Sequence, residues 1–164
     1  MTAARALDAE TRAGSGDHGA IRLWLRMLAT NRLVETRTRR LLQERHGTTL
    51  PRFDLMAQLE RFPRGLRMNE LSKRMMVTGG NVTGITDLLE REGLVERVAD
   101  RGDRRARLVR LTAAGRRTFA AMAAEHERWI VEAFSALSRR EMAAMAAMLA
   151  RLKSHVRSLE ERDA

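Results

Sequence analysis

Apolar residues recur along this chain with different spacings, and each spacing predicts a different element. From Ile21 to Leu42 they include Leu23, Trp24, Leu25, Met27, Leu28, Leu33, Val34, Leu41 and Leu42, too dense in the first half for one stripe. That predicts a helix starting near His18–Ala20 with apolar character on two faces, as when a helix is sandwiched between two partners. The residues before it, 1–17, mix alanine, glycine and charge and end at Ser15-Gly16-Asp17, which reads as a flexible N-terminal arm. After Arg45-His46-Gly47, Thr48 or Thr49 is placed to cap a second helix with Pro51 in its first turn, where a missing N–H is harmless. Phe53, Met56, Leu59 and Phe62 would be its buried face, and Phe62-Pro63-Arg64-Gly65 its end.

A short helix from about Met68 to Met75, a tight turn, and a helix from about Gly80 to Arg91, stopped by Gly93, come next. The only convincing β pattern follows. Leu94–Val98 and Arg107–Leu111 are short runs flanking Asp100-Arg101-Gly102-Asp103, which is turn chemistry. Thr112 is placed to cap a helix carrying Phe119, Met122, Trp129, Ile130, Ala133, Phe134 and Leu137. Ser138-Arg139-Arg140-Glu141 is a capping box that opens the last helix. Its apolar residues Met142, Met145, Leu149, Leu152, Val156 and Leu159 are spaced 3, 4, 3, 4, 3, the seam of a coiled-coil-like contact. The expected order is α-α-α-α-β-β-α-α, a mostly α fold with one β-hairpin.

The two helices over Leu71–Leu89 suit a helix-turn-helix. Leu71, Met75, Val77, Val82, Ile85 and Leu88 or Leu89 would form their shared core, and Ser72 is small where they approach. Such a pair holds its second helix proud of the body, so that it enters the ~12 Å major groove of DNA. Thr78 would cap that helix, and Gly79-Gly80 would bring its N-terminal N–H groups close to a phosphate. Asn81, Thr83, Thr86 and Asp87 are expected on or near its outward face. Asn81 suits adenine; Thr83 suits a base edge or a thymine methyl. Lys73 and Arg74, closing the short helix, complete the candidate DNA-binding set on this side.

Charge sharpens this picture. The chain of 164 residues carries 31 basic against 21 acidic residues, net +10, and only Lys73 and Lys153 among the basic residues are lysines. Arginine presents a planar donor fork suited to phosphate and guanine. Between Arg97 and Arg117 eight arginines face only Asp100 and Asp103, so most of the excess sits on the hairpin and just beyond it. Arg101, Arg104, Arg105 and Arg107 are the candidates for phosphate or minor-groove contact, with Arg104 and Arg105 at the tip. Cysteine is absent, which excludes disulfides and thiolate metal sites. His18, His46, His126 and His155 are scattered, with no HExxH, nucleophile or Walker motif, so neither an enzyme, a metal site nor a cofactor is expected. No apolar run reaches membrane-spanning length, and a cytoplasmic, non-membrane protein is expected.

The stretch Glu70–Gly115 resembles the MarR family of bacterial transcription regulators. The likeness rests on Asn81-Val82-Thr83, the Asp103-Arg104-Arg105 wing and Leu111-Thr112-Ala113-Ala114-Gly115 at this separation, and the element order extends it to about Ala20–Leu159. It implies a winged helix-turn-helix region over 48–111 and a helical dimerisation platform from 18–47 and 112–160. It also implies a homodimer that places two recognition helices in consecutive major grooves of a pseudo-palindromic operator in double-stranded DNA, with Arg105 in the minor groove. Many members carry a basic residue where this chain has Gly84, so base reading here falls to Asn81, Thr83 and the helix N-terminus. Met76 stands where a helix-turn-helix often has glycine. The resemblance further implies a ligand-responsive repressor. Its crevice would be lined by Leu23, Trp24, Met27 and Asn31 and by Arg52, Phe53 and Met56, and would suit a small aromatic acid or its coenzyme A thioester. The other function in view is an architectural DNA-binding protein without strong sequence preference.

Overall fold

The computed structural model describes residues 18–75, 79–100 and 107–163. The arm expected over 1–17 lies outside the described residues, as do the turn residues Met76, Val77 and Thr78. Two compact units divide the chain, one up to His126 and one from Glu127.

Helix α1, Gly19–His46, ends where Gly47 turns left-handed at φ 59°. That conformation lets Gly47 and Thr48 donate backbone bonds to Gln43 and Leu42, closing carbonyls the helix would leave open. Its buried positions, Thr38, Leu41 and Leu42, all lie toward this end. Ile21, Leu23, Trp24 and Leu33 are each more than half exposed in the single chain, so the two-faced apolar pattern is satisfied only near the C-terminus. Helix α2, Leu50–Glu60, starts behind an extended Thr49 that takes the N-cap position without the expected side-chain bond, has Pro51 in its first turn, and buries Phe53, Leu55, Met56 and Leu59.

Strand β1, Leu66–Arg67, was not expected from the pattern. It pairs antiparallel with β3, Arg107–Leu111, which pairs on its other side with β2, Val95–Ala99, giving the order β1-β3-β2. Leu66 lies opposite Val109, and Val95 opposite Leu111. Gly65 makes the third strand possible: at φ 97° its Cα presses so close to β3 that a Cβ would stand 2.8 Å from the Val109 carbonyl oxygen.

Helix α3, Met68–Met75, begins with Glu70 accepting a 2.7 Å bond from the Arg67 backbone N–H. Helix α4, Gly79–Arg91, stops at Gly93, φ 70°, where Gly93 and Leu94 donate back to Glu90 and Leu89. The core that fixes these elements combines Leu42, Leu55, Met56, Leu59, Leu71, Val82, Leu89, Val95, Val109 and Leu111, all nearly inaccessible. Leu89 holds the helix-pair position in the core, and Leu88 is 43% exposed.

Helix α5, Ala113–Phe134, is seated by the Leu-Thr-x-x-Gly sequence. Thr112 Oγ1 donates to the Gly93 carbonyl at 2.7 Å and accepts from the Gly115 N–H at 2.9 Å. Its last turns, with α6, Arg139–Asp163, make the second unit. The predicted capping box opens α6: Ser138 N–H donates to Glu141 Oε2 at 2.7 Å and Glu141 N–H to Ser138 Oγ at 3.3 Å. The six seam residues from Met142 to Leu159 are all more than a third exposed.

Candidate nucleic-acid interface

Helix α4 turns Val82, Ile85, Thr86 and Leu89 to the core. Thr86, expected on or near the outward face, is fully buried: its hydroxyl donates to the Val82 carbonyl at 2.8 Å and its side chain meets Met68. A threonine whose hydroxyl bonds back into its own helix packs like an apolar residue. Gly80, Asn81, Thr83, Gly84, Leu88 and Arg91 are exposed. A Cβ at Gly80 or Gly84 would meet nothing within 4 Å, so at these two positions the backbone faces outward with no side chain before it, and a shallow hollow of about 480 Å³ runs past them, Asn81 and Leu88. At those two glycines another molecule can approach the helix backbone closely.

The flanking cations are placed unevenly. Lys73 and Arg74 are exposed at the end of α3, and the Arg74 guanidinium sits 4.1 Å over the Phe62 ring. Arg107 is exposed at the start of β3. Thr78, Arg101, Arg104 and Arg105 lie outside the described residues. Other arginines of the hairpin have acids as partners. Arg97 is held by Asp87 at 2.5 Å and by Glu90, Arg110 binds Glu96 at 2.8 Å, and Asp100 binds Arg67 of β1 at 2.6 Å. The hydrogen bond that Arg97 donates to Asp87 raises the pKa of Arg97 above its usual value. Asp87 and Glu90 come from α4 and Glu96 from β2, so the excess counted over Arg97–Arg117 is partly answered by carboxylates that the count did not span.

The residues expected to line an effector crevice differ in exposure. Leu23, Trp24 and Asn31 are exposed and Met27 half-buried on α1, while Phe53 and Met56 are buried on α2. Arg52 is paired with Glu92, the residue after α4, and its Nε is buried without an acceptor. A cavity of about 530 Å³ lies elsewhere, between α2, the end of α3 and α5, and of the seven expected residues only Phe53 reaches it. Its wall is aromatic: Phe53 lies 5.4 Å from Phe119 and 4.9 Å from His126, centroid to centroid. Burial lowers the pKa of His126 and raises that of Asp54 at the cavity edge, while Arg61 and Arg74 supply cations. Sequence periodicity placed Phe53 on the buried face of its helix and Phe119 on the apolar stripe of another, with no local pattern to bring the two, or His126, to one cavity.

A short helix, a second helix with an open outer face, and a hairpin whose base is paired to the strand before them define a winged helix-turn-helix protein. The MarR family profile matches residues 46–106. A MarR family transcriptional regulator from Silicibacter pomeroyi, of known structure, is 35% identical, with 86% of this chain and 99% of that one covered at a TM-score of 0.71. The chain belongs to the MarR family of transcriptional regulators. The transcriptional activatory protein BadR of Rhodopseudomonas palustris is 35% identical over 107 residues, 63% of this chain and 60% of that relative's length. A Streptomyces coelicolor MarR family regulator solved in complex with DNA shares the fold at 22% identity and a TM-score of 0.74, with 88% of this chain and 92% of that one covered. No helix among the described residues is long and apolar enough to cross a membrane.

Proposed function

We propose that this chain is a dimeric, sequence-selective regulator that binds a pseudo-palindromic site in double-stranded DNA and releases it on binding an aromatic acid or the corresponding coenzyme A thioester. The observation that carries the DNA reading is the outer face of α4. Gly80, Asn81 and Gly84 stand exposed with open space before them, on a helix locked to the sheet behind it. Asn81 and Thr83 read base edges, and Lys73, Arg74, Arg101, Arg104, Arg105 and Arg107 position the duplex on its phosphates. The platform of 18–47 and 112–160 brings two such helices together, and the exposed α6 seam is the contact surface. The effector reading draws support from the aromatic-walled cavity at Phe53, whose volume suits a small ring-bearing ligand.

Selection of duplexes from a random pool tests the DNA reading. The selected duplex should be bound at least about a hundredfold more tightly than a scrambled one at physiological salt. Equal affinity for both would replace it with an architectural protein that coats DNA without choice. Asn81→Ala should relax preference at one base position and leave the salt dependence unchanged. Thermal stabilisation by aromatic acids and their thioesters tests the effector reading independently.

A further inference from the structure

A helix that lies in a DNA groove gains from a neutral or positive face, yet α4 carries Asp87 and Glu90 three residues apart, on the side toward the hairpin. Their side chains remain 49% and 37% exposed. One residue meets both. The guanidinium of Arg97, on β2, donates through Nη2 to Asp87 Oδ1 at 2.5 Å and through Nη1 to Glu90 Oε2, and its backbone N–H donates to Glu90 Oε1 at 3.2 Å. Arg97 is itself held in register opposite Val109, a fully buried residue of the central strand, so the bridge is anchored in the core.

We infer that Arg97 is a positioning residue for DNA recognition and not a phosphate contact: it draws the Asp87 and Glu90 carboxylates back onto β2 and fixes α4 against the wing. The inference rests on the DNA-binding reading above. The guanidinium meets the two carboxylates through separate nitrogens of one rigid plane, a geometry that the single nitrogen of an ammonium does not reproduce. Without the bridge, two carboxylates would be free to turn toward the phosphates, at a place where the duplex and α4 must approach closely.

The two roles separate in a mutant cycle on the full chain, with affinity read for the selected duplex and for a mixed-sequence duplex. Arg97→Gln should weaken binding to both by about tenfold when Asp87 and Glu90 are present, and by less than about threefold when they are replaced by Asn and Gln. An equal loss in the two backgrounds would make Arg97 an independent phosphate contact and overturn the inference. Arg97→Lys keeps the charge and guards against a variant that fails to fold. It should bind measurably more weakly than the parent while still melting cooperatively as a folded protein. Parental affinity in that variant would show that a point charge suffices, which also overturns the inference. If the parent chain binds neither duplex, the DNA reading itself fails, a result distinct from either of these.

Discussion

A methyl group added at Gly115 would stand 1.9 Å from the Leu94 carbonyl oxygen, a contact with backbone that no side-chain rotation relieves. Gly115→Ala should therefore lower stability by about 3 kcal/mol, seen as a drop in melting temperature. The glycine was legible in the sequence as part of Leu-Thr-x-x-Gly; its reason was not, because Leu94 lies 21 positions away. Thr86 shows the opposite difficulty. Its polarity suggested an outward residue, and nothing local announces that its hydroxyl closes on Val82 and leaves the rest of the side chain to the core. Leu88 and Leu89 were left as alternatives by periodicity alone, and tertiary packing chose Leu89.

The start of α6 was the most legible helix end, because its chemistry is confined to a few successive residues, whereas Thr49 takes the N-cap position of α2 without a side-chain bond. The box at Ser138 and Glu141 forms as its letters suggest. Ser138→Ala should destabilise the start of α6 by about 1 kcal/mol, measured as faster amide exchange in its first turn. Hydrogen bonds to its carboxylate, first from the Ser138 hydroxyl and then from the Ser138 backbone N–H, lower the pKa of Glu141. A carboxyl whose pKa is depressed by folding contributes fully above its unfolded value, and that contribution is lost as pH falls through the lower folded one. Protection of the first turn should thus decline on acidification below the ordinary glutamate range, and Ser138→Ala should remove most of that pH dependence. Strand β1 was illegible for the converse reason: two residues show no period, and their partners lie more than 40 positions along the chain.

At the scale of the whole molecule, the chain leaves unburied what a monomer would be expected to bury. The α6 seam and the apolar first half of α1 are exposed, which the sequence had foreshadowed through a heptad-like spacing and a helix apolar on two faces. Leu152→Glu, at the middle of the seam, should convert the proposed dimer to monomer in analytical ultracentrifugation and abolish tight binding to a two-half-site duplex. A dimer that persists with this substitution would remove α6 from the platform. Charge was less legible at this scale, since a window of sequence counts arginines without the acids that fold against them. The two-residue strand has a mechanical consequence as well. Because β3 is shared between the hairpin and the segment leading into α3, with Asp100 bonded across to Arg67, a pull on the base of the wing is transmitted to the first turn of the helix pair. The base of the wing and the helix pair are therefore geared together, so that a displacement of β2 and β3 carries the start of α3 with it.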